Sequence, residues 1–262
     1  MEYPLISALC PTHARAPAYL WMLEECVWWF TQQDWPNKEL IIANDDPGQA
    51  LICKTPGVRV LNYPTRFESL GAKYRAMLEA AKGEYAMCWE DDDVNLPHRM
   101  RQAAEALGND FDFWNPQSSF YQSGRDGEIH TGHPHGVCMN CSAFRTKAFR
   151  GIYPGKAIVN GNVFVASGHV NQDAIADGWA KQNLRWNQAT LIAKPKQWSY
   201  VYRFGVTANH FSGQATVENA EQVWRSQMPG VPGVYEIAPR MRLDYVALCD
   251  EAAKKAIFPT GV

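Results

Sequence analysis

Tyr85-Ala86-Met87-Cys88-Trp89-Glu90-Asp91-Asp92-Asp93 sets five apolar residues directly ahead of four consecutive carboxylates. A short apolar run of this kind reads as a buried strand, and Pro97 to Leu107 beyond it carries helical periodicity. Four adjacent carboxylates repel one another, and that cost has to be offset by a cation or by solvent. Most charge runs are solvated loops. A run held between a buried strand and a helix is a different case, because it sits at a strand end.

Working outward, the same alternation repeats. Pro4 to Leu9 reads as a first strand, Tyr19 to Phe30 as a helix with Leu20, Leu23, Val27 and Phe30 on one face, and Glu39 to Ala43 as a second strand. Asn44-Asp45-Asp46-Pro47-Gly48 is a turn cluster, Val58 to Asn62 a third strand, and Leu70 to Ala81 a helix with Gly83 placed for a C-cap. Alternating strand and helix predicts an α/β fold with a mainly parallel sheet flanked by helices. In such sheets ligands gather beyond the carboxyl ends of the strands. Three polar clusters fall there: Thr12-His13-Ala14-Arg15, Asn44-Asp45-Asp46, and Glu90 to Asp93.

Past residue 110 the periodicity weakens. Helices are expected over Gln172–Gln182 and Arg240–Ala256, and strands over Thr190–Ala193 and Trp198–Phe204. No linker divides the chain, so one domain is expected, with residues 1–96 forming one half and 97–262 the other.

Composition narrows the setting. The 262 residues are 46% hydrophobic with net charge -2, which suits an ordinary globular protein able to bury a large core. No apolar run of membrane-spanning length occurs, and no basic leader precedes a cleavage site, so a cytoplasmic, non-spanning protein is expected. Seven scattered cysteines fit reduced thiols better than a disulfide framework. The charge is uneven: residues 1–139 hold 11 Lys+Arg and 19 Asp+Glu (-8), leaving 14 and 8 (+6) for residues 140–262.

The acidic strand end suits a hard divalent ion, Mg²⁺ or Mn²⁺, which takes oxygen ligands and commonly shares them with substrate phosphates. His130, His133, His135, Cys138 and Cys141 also crowd together, with CxxC spacing at the end, so a zinc site is permitted. Against it, Val137, Met139, Ala143 and Phe144 read as a buried strand that makes the cysteines core residues. No structural zinc is expected.

Four segments in order resemble family 2 glycosyltransferases of the GT-A fold, across about residues 4–215: Leu5 to Arg15, Glu39 to Asp46, Gly71 to Tyr85, and Trp89 to Met100 with its trailing Pro97 and Arg99. Each alone is weak; their order and spacing together are specific. The resemblance implies metal-dependent transfer of a sugar from a nucleoside diphosphate, UDP by preference, to an acceptor hydroxyl with inversion. It implies that Pro11, Thr12, His13, Arg15, Asp45, Asp46, Lys73, Arg75 and Asp91 contact the nucleotide. His13 falls where the family packs an aromatic on the base, and Asp45 where a carboxylate accepts a hydrogen bond from it. Asp92 is then the leading metal ligand, flanked by Asp91 and Asp93, with His210 a third-ligand candidate. Asp173 takes the place of the catalytic base, with Asp177 as fallback. Gln172 departs from the family's usual Glu, which loosens the alignment there.

Two rivals are weaker. A nucleotidyltransferase would usually carry a Gly-rich loop after the first strand, and Leu9 to Arg15 contains no glycine. A carbohydrate- or nucleic-acid-binding module could use the ten tryptophans and the basic half, but the acidic strand end would repel phosphates unless a metal masked it. The acceptor is not legible; a hydroxylated base in DNA or another anionic polymer stays open.

Overall fold

The computed structural model describes residues 3–116, 118–123, 127–131, 139–149, 156–159, 162–165, 185–187, 195–204 and 227–256. Fifteen strands and five α-helices follow one another among these residues. They run β1 (Ile6–Thr12), α1 (Leu20–Thr31), β2 (Lys38–Asn44), β3 (Gln49–Ile52), β4 (Val58–Asn62), α2 (Leu70–Ala80) and β5 (Tyr85–Cys88). Then come β6 (Val94–Asn95), α3 (Arg99–Leu107), β7 (Phe113–Trp114), β8 (Phe120–Ser123), β9 (Ile129–Thr131), β10 (Ala143–Arg145) and α4 (Thr146–Phe149). The last are β11 (Lys156–Val159), β12 (Asn162–Val165), β13 (Trp186–Asn187), β14 (Tyr200–Phe204), β15 (Gly233–Glu236) and α5 (Tyr245–Lys255).

Seven strands form the central sheet in the order β13-β7-β10-β5-β1-β2-β4. β1 pairs parallel with β2 and β5, and β2 with β4; only β10 runs against its neighbours. This is the α/β architecture expected from the alternation. Both faces are covered, as a parallel sheet requires. Ile6, Ala8, Cys10, Leu40, Ile42, Met87 and Trp89 share a core with α1, α3 and α5. Leu9, Ile41, Ala43, Ala86 and Cys88 share the opposite core with α2. The period-two switch along each strand separates these sets.

A second sheet, β6-β14-β8-β9, lies beside the acidic turn, and β14 pairs antiparallel with β6 directly after Asp93. A third pairing was not foreseen: β15 runs parallel to β3, Gly233 opposite Gln49 through Glu236 opposite Ile52.

Three expectations shift. α2 ends in extended backbone at Ala81, so Gly83 is no left-handed cap. A Cβ on Gly83 would lie 2.7 Å from the Leu5 carbonyl oxygen and 2.7 Å from the Ser7 nitrogen, so the glycine serves close backbone approach instead. Met139–Cys141 is a 3₁₀ turn ahead of β10 rather than strand. The final helix begins at Tyr245, capped by the Asp244 side chain, and not at Arg240. The expected elements at 172–182 and 190–193 lie outside the described residues. No helix among the described residues is long and apolar enough to cross a membrane.

Candidate active site

β1, β2 and β5 end side by side, and the residues that follow them meet in two linked clusters. In the first, Asp45 is buried beneath the end of β2. Its Oδ1 accepts from Lys73 Nζ at 2.6 Å and faces His13 Nδ1 at 3.1 Å, while Oδ2 accepts from the Phe67 backbone N–H at 3.1 Å. Lys73 also donates to the Thr12 carbonyl at 3.0 Å. Burial alone would raise the Asp45 pKa, but His13 and Lys73 carry it down to about 2. Burial pulls His13 below its ordinary value, which leaves its ring neutral near pH 7. The His13 Nε2 is buried and has no hydrogen-bond partner among the described residues.

In the second cluster Asp91 receives a bidentate fork from Arg15, Nε to Oδ2 and Nη2 to Oδ1, both at 2.7 Å, and Thr12 Oγ1 donates at 2.6 Å. Burial opposes ionisation of Asp91, but Arg15 and Thr12 hold its pKa below the ordinary value. Arg15 Nη2 reaches on to Asp92 at 3.3 Å. Between the two clusters Ala14 adopts φ 55, a left-handed backbone that costs a non-glycine residue roughly 1–2 kcal/mol. The neighbours held on either side, His13 by Asp45 and Arg15 by Asp91, impose it.

The four carboxylates point four ways, which relieves their repulsion. Glu90 accepts from the Tyr74 hydroxyl on α2. Asp91 faces Thr12 and Arg15. Asp93 turns into the second sheet, where it accepts from the Tyr200 hydroxyl and, at 2.9 Å, from the Arg203 backbone N–H. Burial and the adjacent Asp92 push the Asp93 pKa up to about 8. Among the three aspartates, Asp92 keeps a partly exposed carboxylate, with 13% of its side-chain surface open. Its main chain is held from behind, since Arg203 Nε donates to the Asp92 carbonyl while Nη1 pairs with buried Glu25 at 2.5 Å.

Residues 7–170, more than half of the chain, match the sequence profile of glycosyl transferase family 2. The chain belongs to that family. Among solved structures, it is similar to S. aureus TarS 1-349 in complex with UDP-GlcNAc, at 15% identity and a TM-score of 0.56 over 84% of this chain and 64% of that one. The UDP complex of the same TarS fragment gives 14% identity and a TM-score of 0.50, over 76% and 60%. Both likenesses establish a GT-A fold. The chain spans about six-tenths of the length of those structures. No curated protein sequence matches it.

The site of this family 2 glycosyltransferase thus unites most of the nucleotide-half residues expected from the sequence. Thr12, His13, Arg15, Asp45, Lys73, Asp91 and Asp92 form one connected set, and Pro11 lies in β1 beside Ala43. Lys73, Arg75, Asp46 and Asp93 nonetheless stand differently from expectation. Lys73 is fully buried and spends its ammonium on Asp45 and Thr12, beneath the site rather than facing a diphosphate. Arg75, two residues on, is turned about 200° round the helix from Lys73, so the two do not share a face. Asp46 braces its own turn, accepting from Gly48 N–H at 2.9 Å. Asp93 belongs to the packing behind the turn. Asp173, Asp177 and His210 lie outside the described residues, as do His133, His135 and Cys138. Of the remaining candidate zinc ligands, Cys141 is buried and accepts from Asn115 Nδ2 at 3.3 Å, while His130 is exposed on β9.

Tyr74, Tyr200 and Arg203 join the site without a signal in the local sequence. Tyr200 and Arg203 lie in a strand that was legible, but nothing local marks them as partners of a turn more than a hundred residues earlier. The Asp45 cluster carries a pH signature. Its carboxyl sits at about 2 when folded and near 4 when unfolded, so its ionised contacts stabilise the fold above pH 4 and are lost as pH falls towards 2. Thermal denaturation of the wild type against Asp45→Asn should show a gap of roughly 2–3 kcal/mol at pH 7 that closes between pH 4 and pH 2. A gap independent of pH across that window would remove the charge from the account.

Proposed function

We propose that this glycosyltransferase moves a sugar from a nucleoside diphosphate, UDP by preference, to an acceptor hydroxyl with inversion, using a divalent ion at Asp92. The carrying observation is the Asp45–His13 cluster and the Asp91–Arg15–Asp92 cluster standing on adjacent strand ends, joined through Thr12. The first suits a base. Asp45 already accepts from three donors, and His13 Nε2 beside it offers a lone pair that suits an N–H such as that of uracil. The UDP-bound TarS structures, on the same fold, support the choice of UDP.

The second cluster suits a diphosphate. Among the described residues no three His, Cys, Asp or Glu side chains converge on a metal position. A Mg²⁺ or Mn²⁺ bound through one carboxylate and completed by substrate phosphates fits that donor set; a closed protein cage does not. When bound, the ion would neutralise charge on the departing diphosphate. Arg15 sets a fixed cation beside Asp92, where it balances the same charge. In the transfer, the acceptor O–H gives its proton to the base, its oxygen bonds to the anomeric carbon, and the C–O bond to the diphosphate breaks with the electron pair leaving on phosphate. We assign the base to Asp173, with Asp177 as alternative, and a further metal contact to His210. Residues 1–96 serve donor and metal, and 97–262 the acceptor. The free thiols of the described cysteines fit a cytosolic setting.

A thermal-shift panel of UDP, CDP, GDP and their sugars, with and without Mn²⁺, tests this reading. UDP at about a hundred times its Kd should add roughly 2.7 kcal/mol, or some 5–10 °C. Silence from every nucleoside diphosphate in the presence of metal would end it. Asp173→Asn should keep the UDP shift and lose turnover, read as UDP release from the sugar nucleotide; retained turnover would move the base to Asp177.

A further inference from the structure

We infer that the segment Gln227–Gly233, which lies beyond the family-matching residues 7–170, is a working part of the nucleotide half, and that Gly230 is a positioning residue for the loop carrying His13 and Arg15. The inference rests on the nucleotide-site reading above.

The segment touches the chain beside Asp45 and beside Phe67, two of the pieces that build the base-side cluster. Gly230 N–H donates to Asp46 Oδ2 at 2.6 Å, next to the buried Asp45. Gln227 Oε1 accepts from Arg66 Nη2 at 2.5 Å, and the following residue, Phe67, gives its backbone N–H to Asp45. The Val231 carbonyl accepts from Gln49 Nε2 at 2.9 Å, and the same side-chain amide holds the Ala16 carbonyl at 2.5 Å. Gly233 N–H then donates to the Gly48 carbonyl at 3.0 Å, and β15 continues along β3. The segment thereby holds 46–49 and 66–67 together, and Gln49 carries the tie on to Ala16.

Gly230 sits where these ties cross. A Cβ there would press into the Gln49 side-chain amide, with Cδ at 2.7 Å, and would lie 3.0 Å from Ala14 Cα. Gln49 is buried and held by Ala16 and Val231, so it cannot swing clear without releasing one of them. Ala14 is the left-handed residue whose backbone turn sends His13 to one cluster and Arg15 to the other. A methyl group at position 230 therefore pushes on the residue that sets the spacing between base reader and diphosphate cation. A glycine required for close backbone approach is the simplest form of such a device.

The full-length Gly230→Ala variant tests this by amide hydrogen exchange and by calorimetric UDP binding. Exchange should quicken over 12–16 and 45–49 while β1, β2 and β5 keep their protection. UDP Kd should rise about tenfold, with kcat at saturating donor within about twofold of wild type. Loop exchange and UDP affinity both matching wild type would overturn the inference, as would loss of protection throughout the sheet in a folded variant. If Gly230→Ala does not fold, Gln227→Ala, which removes the tie to Arg66 without adding bulk, decides on the same readouts. If the wild type binds no nucleoside diphosphate, the functional reading fails, and the exchange comparison alone decides the role of Gly230.

Discussion

Asp92→Ala is expected to erase the gain in UDP affinity that Mn²⁺ confers, a loss on the order of a hundredfold, while leaving the fold intact. Three observations converge on this residue. It is the aspartate of the run with a partly exposed carboxylate, Asp91 and Asp93 face Thr12 and the second sheet, and Arg15 Nη2 stands 3.3 Å from its Oδ2. Removing it also subtracts one negative charge from a crowded turn, so the melting temperature should move little. Titrating UDP with and without Mn²⁺ reads the effect directly. A variant that still binds UDP more tightly in Mn²⁺ would transfer the ligand role elsewhere. Asp93→Ala is the instructive contrast. It strips the acceptor from Tyr200 and from the Arg203 backbone, so its damage should fall on stability first.

Arg203→Met should produce the largest loss of stability. Arg203 and Glu25 pair at 2.5 Å with about 1% of either side chain exposed, and Arg203 Nε also holds the Asp92 carbonyl. Deleting one member of a buried pair strands the other charge, which costs about 3–5 kcal/mol. For a chain of this size that is a fall of roughly 6–20 °C in melting temperature. Glu25→Met combined with Arg203→Met should recover part of the loss, because the stranded charge is removed with its partner. A drop under about 2 °C in the single variant would show that the pair contributes little. Since the same guanidinium fixes the main chain of the acidic turn, Mn²⁺-dependent UDP binding should weaken as well.

Much of the nucleotide half was legible because its signals are local. Short apolar runs marked β1, β2, β4 and β5, and the polar residues directly after three of these strands had nowhere to go but a shared edge. Individual roles were less legible, because direction depends on partners that periodicity does not reveal. Lys73 is expected on the nucleotide but pairs with buried Asp45, and Asp93 is expected beside the metal but turns to β14. β3 escaped notice since four residues after a turn cluster carry no period, and its parallel partner β15 comes from far along the chain.

That pairing bears on when the protein can act during its own synthesis. Gln49 and Val231 are 182 residues apart, and a ribosome adding about 5–20 residues per second separates their emergence by roughly 9–36 s. β1, β2 and β5 can meet long before then, but the turn at Asp46 waits for the late segment to reach it. A nascent chain should therefore stay blind to its donor until residues 227–233 have emerged.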